Sequence, residues 1–140
     1  MCCRNDAKLL AKLRARKKAF VGWKLYDWYG TYLKSHRWSN LPGGTVKSPG
    51  IVDSKQGSRP LANGSFVTRG IHVYLSRRAA MSELCSKVRI VPVIVRPRYI
   101  RAAGAVCEND THVPLTWLGR QLVASRVRIS ESAWQKATKP

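Results

Sequence analysis

Twenty-six lysines and arginines against seven acidic residues leave the chain with a formal charge of +19, and that surplus constrains the fold before any element is assigned. Cations without partners repel one another, so the compact state loses stability unless a polyanion neutralises them. Basic residues run from Arg4 to Lys139, the longest interval without one being residues 102–119. An anionic membrane would favour one basic amphipathic helix and an acidic protein would favour one patch, whereas a nucleic acid suits charge spread along the whole chain. Against the repulsion stands a hydrophobic content of 44% in 140 residues. That is enough for one domain that buries roughly two thirds of its unfolded surface without staples.

No stretch approaches the roughly 18 to 20 apolar residues of a membrane span. The start "MCCRNDAKLL" lacks the apolar core of a secretory signal, so an intracellular protein with no membrane partner is expected. Cys2 and Cys3 are adjacent while Cys85 and Cys107 stand alone in the sequence. This is no disulfide framework, and free thiols are expected.

Asp6 is placed to cap a helix over "AKLLAKLRARKK", with Leu9, Leu10 and Leu13 as its apolar stripe. Lys8, Lys12, Arg14, Arg16, Lys17 and Lys18 fill the remainder, a cation surface suited to phosphates. "AFVGWKLY" and "TYLKS" read as the strands of a hairpin turning at "DWYG". Residues 36–65 are rich in breakers ("NLPGG", "KSPG", "KQGSRP", "ANGS") and predict a long loop that carries Lys47, Lys55 and Arg59. "IHVYL", a helix "RRAAMSELCS" capped by Ser76, and "KVRIVPVIV" form a strand, helix, strand unit. Pro92 argues for an edge or a bulge in its second strand. A turn of helix is expected after Pro114, "LVASRVRIS" reads as one half-buried strand, and Ser130 caps a tail helix containing Trp134. The whole predicts a single α+β domain with a mostly antiparallel sheet of about four to six strands and two or three helices.

The stretch "GWKLYDWYGTYLKSHRW" gathers Trp23, Tyr26, Trp28, Tyr29, Tyr32 and Trp38 among Lys24, Lys34, His36 and Arg37. On a hairpin, Trp23 and Leu25 share one face while Lys24 and Tyr26 share the other. One face feeds a core and the other can offer aromatics beside cations to stack bases and hold phosphates. Tyr26, Tyr29, Tyr32 and Trp38 are the candidate platform, with Lys24, Lys34 and Arg37 as its cations; large aromatics of this kind also serve as core and rim. "RPRYIR" adds Arg96, Arg98 and Arg101 as phosphate contacts.

Motifs for chemistry are sparse. Cys107 and His112 are five apart and nothing supplies paired zinc-ligand spacing, so no metal is expected. His72 sits mid-strand without a partner that the sequence can locate. "GSFVTRG" lacks the Gly-Lys-Ser/Thr ending of a phosphate-binding loop, and no G-x-G-x-x-G occurs. No cofactor or catalytic residue is assigned. No zinc finger, RNA-recognition signature or helix-turn-helix is present either, so a nucleic-acid reading rests on charge and aromatics.

The layout of a basic leader, "VGWKLYD", a Gly-Ser-Pro-rich middle, "RGIHVYLSRRAA", "VRIVPVIVRPRYIRAAG" and "SRVRIS" resembles small uncharacterised proteins of tailed bacteriophages. That resemblance implies an accessory role in a host cytoplasm. More narrowly, "WYGT", "RGIHVYLS" and "ISES" resemble, in order, the three short motifs of ADP-ribosyltransferases. This second resemblance would place Tyr29, Ser76 and Glu131 around nicotinamide adenine dinucleotide, although Tyr29 stands where that family often has histidine. A non-enzymatic nucleic-acid-binding protein is the leading expectation. The alternatives are such a transferase, or a basic inhibitor or assembly protein on an acidic protein partner.

Overall fold

Apolar residues at Leu9 and Leu13 bury one side of a short helix, α1 (Ala7–Arg14), which follows strand β1 (Cys2–Asn5) and precedes the nine-residue β2 (Phe20–Trp28). The structure, a computed structural model, describes residues 2–5, 7–35, 44–54, 58–60, 66–68, 70–81, 88–107 and 120–139. The remaining elements are β3 (Leu33–Ser35), β4 (Thr45–Val46), β5 (Gly50–Asp53), β6 (Ser58–Pro60), β7 (Phe66–Thr68) and β8 (Ile71–Tyr74). Then come α2 (Arg77–Met81), β9 (Val88–Val95), a 3-10 turn (Pro97–Tyr99), β10 (Ile100–Cys107), β11 (Arg120–Ala124), β12 (Arg126–Ile129) and α3 (Glu131–Ala137). Helix α1 stops at Arg14 rather than Lys18, because Arg14, Arg16, Lys17 and Lys18 are all exposed and bring repulsion without an acidic neighbour in sequence to offset it. The expected cap Asp6, the segment after Pro114 and the end of the helix expected beyond Met81 lie outside the described residues.

Among the described residues ten strands form one sheet in the order β1-β10-β11-β8-β2-β9-β12-β5, with β3 joined to β2 and β4 to β3, while β6 and β7 pair apart. Every pairing is antiparallel. The α+β class is as expected, and the strands outnumber the expected four to six. The surplus comes from segments that pattern poorly. β10 ("IRAAGAVC") buries Ala102, Ala103 and Gly104, small residues with weak strand signals that let α1 pack against it. β4 and β5 fall inside the breaker-rich span, so the loop expected over 36–65 is interrupted by strands. The register of β1 on β10 also sets Cys2 opposite Cys107.

The single strand expected over residues 122–130 is instead two, β11 and β12, broken at Ser125. Before it Leu122 and Ala124 face the main core, and after it Val127 and Ile129 do. The inward phase therefore slips by one residue, the signature of a strand corner. Its backbone is held on both sides: Ser125 N–H donates to the Tyr99 carbonyl at 2.9 Å, and Ser54 N–H donates to the Ser125 carbonyl at 2.9 Å. Because β11 and β12 are joined through Ser125, the path β11-β8-β2-β9-β12 returns to its own starting strand. The sheet thus closes into a ring around Val73, Val91, Val93, Leu122 and Ile129, with Leu9 and Leu13 of α1 and Ala133 and Ala137 of α3 in the same cluster. The edge or bulge expected from Pro92 is corrected: β9 lies between β2 and β12 and keeps an unbroken register with β2 through Pro92, and β12 meets β9 at Ile94, two residues further on.

Helix α2 covers a second, smaller cluster on the outside of the ring, where Leu25, Tyr74, Ala79, Ala80 and Val88 pack with Trp23 and Ile90. Ser76 caps α2 by accepting from Ala79 N–H at 3.1 Å. Ser130 does the same for α3, accepting from Ala133 N–H at 3.2 Å. Ser130→Ala leaves that donor without its partner and should lower unfolding free energy by about 1 kcal/mol, read by urea denaturation with an unchanged m-value.

Candidate nucleic-acid interface

Alternation along β2 is as the sequence implies, but the face expected to meet the ligand is corrected. Trp23 and Leu25 join the cluster under α2, and the opposite face, which holds Lys24 and Tyr26, is the inside of the ring. Lys24 is 5% exposed and Tyr26 is fully buried. Neither can meet a polymer in solution. Lys24 Nζ donates to Ser35 Oγ at 3.0 Å and to the His72 carbonyl at 3.3 Å, and lies 5.3 Å from the Tyr26 ring centroid. Burial lowers its pKa from 10.5 to about 8. Burial also raises the Tyr26 pKa well above its ordinary 10, since each charged form is poorly solvated there.

The rest of the expected platform divides. Tyr29 and Tyr32 stack at the β2–β3 turn with centroids 5.3 Å apart and planes 11° apart, and Tyr29 is 55% exposed. Gly30, with φ of 85°, makes the turn between them. Lys34 is half-buried on β3, where the register sets it opposite Asp27. Arg37 and Trp38 lie outside the described residues. Ser76 and Glu131 of the transferase-like motifs are the cap of α2 and the first residue of α3.

Cations converge at the other end of β2. Register pairs Phe20 with Val95, so the segment after β9 emerges beside the start of β2, roughly 30 Å along the strand from Tyr29 at about 3.3 Å per residue. There Arg96, Arg98, Arg126 and Arg128 line a cavity of about 390 Å³ together with Tyr99, and Ile51, Ile94 and Val127 complete its wall. No carboxylate lines it among the described residues. The Arg98 guanidinium lies 4.9 Å from the Tyr99 ring centroid and that of Arg126 lies 5.2 Å from it, both within cation–π range. Arg126 Nη1 also donates to the Tyr99 hydroxyl at 3.3 Å.

Asp53 on neighbouring β5 accepts a fork from Arg126, Nε to Oδ1 at 2.5 Å and Nη2 to Oδ2 at 3.3 Å. The carboxylate holds the Arg126 pKa above its ordinary value. At 41% and 60% side-chain exposure the pair contributes little stability. Its effect is to aim the guanidinium.

Arg96 and Arg98 are legible as candidates in the sequence, whereas Arg126 and Arg128 pattern as the polar side of a strand. The corner at Ser125 brings them to Tyr99, a tertiary fact with no local signal beyond arginines two apart on one strand face. Arg101 is half-buried at the β10 bulge and is not part of this wall.

The basic helix supplies a second concavity of about 350 Å³, where Lys12 and Arg16 stand over Leu9, Leu13, Phe20 and Val21. Arg16 lies 4.6 Å from the Phe20 ring centroid. Arg14 is anchored instead, its Nε donating to the Ile100 carbonyl at 3.0 Å. Lys8, Lys17 and Lys18 are exposed. Among the described residues no group of His, Cys, Asp and Glu could hold a metal ion, and no helix is long and apolar enough to cross a membrane. The chain matches no family model, no curated protein and no solved structure.

Proposed function

We propose that this is a non-enzymatic, intracellular nucleic-acid-binding protein of the phage accessory type, which grips phosphates in the arginine-lined cavity between β9, β12 and the 3-10 turn. The observation that supports the reading is convergence: Arg96, Arg98, Arg126 and Arg128 come from two separate chain segments to line one cavity with Tyr99. Guanidiniums packed together repel, and an arrangement of this kind is relieved by an anion with several oxygens. The overall charge of +19 supports a polymeric anion over a single small one.

Arg96, Arg98 and Arg128 are exposed, so changing all three to Gln should leave the fold intact and keep the Arg126–Asp53 fork. Fluorescence anisotropy with a labelled oligonucleotide over a salt series should show the slope of log affinity against log salt fall in magnitude by about 2, near 0.7 for each single-strand phosphate no longer neutralised. An unchanged slope removes the cavity from the interface. Failure of the native protein to bind any oligonucleotide in dilute buffer ends the proposal.

A further inference from the structure

The two concavities meet on one surface. Val21 belongs to the cavity beside α1, while Ile94, Arg128 and Ile51 belong to the arginine cavity. The register places these four directly across from one another: Val21 opposite Ile94, Ile94 opposite Arg128, and Arg128 opposite Ile51. Directly opposed residues point to the same side of a sheet. They therefore form a row over β2, β9, β12 and β5 on the outside of the ring, about 14 Å long at roughly 4.8 Å per strand. Two of its members are unusually bare for aliphatic side chains, Val21 at 48% and Ile51 at 64% exposure. One strand position pair further along, Trp23 stands opposite an exposed Pro92. Arg16 and Lys12 flank the Val21 end of the row, while Arg96 and Arg126 lie alongside its middle, two residues along the strands from Ile94 and Arg128, with Arg98 in the same cavity and Asp53 opposite Arg126.

A surface of apolar side chains bordered by cations has a particular complement. Duplexes present phosphates outward and keep their base faces stacked inside, so a duplex could use the cations and would leave Val21, Ile94 and Ile51 against water. A single strand carries both chemistries on one side, with bases free to lie on apolar groups while the backbone follows the cations. Acidic polypeptides supply the charge without the flat apolar faces.

Resting on the nucleic-acid reading above, we infer that the ligand is single-stranded, and that it crosses β2, β9, β12 and β5 with its bases on Val21, Ile94 and Ile51 and its phosphates on Arg16, Arg128, Arg96 and Arg126.

The test compares the native protein with a Val21→Ser, Ile51→Ser double variant, which removes exposed apolar surface and leaves every charge in place. Anisotropy is measured with a labelled single strand of about twenty nucleotides, the matching duplex and polyglutamate. The native protein should prefer the single strand. The double variant should lose about tenfold in single-strand affinity with its salt slope and duplex affinity unchanged. Equal affinity for single strand and duplex overturns the inference while leaving phosphate binding intact, as does an equal loss on both. Polyglutamate bound as tightly as the single strand, with the same loss in the variant, overturns it in favour of an acidic protein. Circular dichroism melts of the double variant confirm that its fold is unchanged, since both sites are surface positions.

Discussion

Between about pH 8 and pH 10.5 the native protein should gain about 3 kcal/mol of stability relative to a Lys24→Met variant, measured as the difference between their urea unfolding free energies at each pH. The unfolded chain holds the Lys24 proton up to 10.5, whereas the folded one releases it near 8. Across that window the unfolded state binds more protons, so stability rises with pH. Below 8 both states are protonated and the folded one carries the full cost of a cation inside the ring. The neutral amine still has two N–H donors for Ser35 Oγ and the His72 carbonyl, so deprotonation sheds the charge without breaking either bond. Tyr26 acts in the opposite sense further up. Its folded pKa is raised by burial, so its contribution is complete below 10 and declines above that as unfolded tyrosine ionises. Both proteins carry this decline, and the difference curve removes it. A flat difference curve would mean that Lys24 is solvated in the folded state, contrary to the closed interior of the ring.

Gly70→Ala should cost about 3 kcal/mol, combining a strained backbone with a steric clash. Gly70 has φ of 152°, and a Cβ placed there would lie 2.9 Å from the Ala124 carbonyl oxygen and 2.5 Å from Val123 Cγ1. The carbonyl belongs to the residue just before the Ser125 corner, in the strand that pairs with β8. It cannot retreat without loosening the ring. Gly22 is the control in the same denaturation series. Its Cβ would meet Val73 Cγ1 at 2.3 Å and the Tyr74 carbonyl at 3.2 Å, so the main obstruction is a side chain, which gives way more readily than backbone, and no unusual φ is involved. Gly22→Ala should therefore cost less than Gly70→Ala. The reverse order would show that side-chain crowding, rather than backbone, controls the join between β8 and its neighbours.

How much the sequence discloses depends on how local each signal is. Ser76 and Ser130 are legible as caps because the acceptor and its N–H are three residues apart in the chain. The alternation of Trp23 and Leu25 against Lys24 and Tyr26 is legible too, since it follows from strand geometry alone. Which face turns inward is not, because a buried lysine runs against the ordinary preference of that side chain for water, and Trp23 with Leu25 is a sufficient apolar face by itself. In fact both faces are covered, one by the ring and the other by α2. The corner at Ser125 leaves no trace in "LVASRVRIS", where small, apolar and basic residues alternate well enough for a single strand. Without that corner nothing in the sequence brings Arg126 and Arg128 to Arg96 and Arg98. β5 is equally hard to see because its sole buried side chain is Val52, yet it supplies the Asp53 that aims Arg126.

Ring closure also bears on how the chain assembles during synthesis. The β2–β9 pairing runs from Asp27↔Val88 to Phe20↔Val95, separations of 61 to 75 residues and a long loop to close, and the segment that joins β9 back to β8, residues 120–129, is made later still. A nascent chain that ends before Arg120 therefore holds β8 and β9 with edges awaiting a mate. The same ten-residue segment from another copy could occupy that gap, and the bent strand through Ser125 is in this sense both the latch of the fold and the piece two crowded copies would exchange.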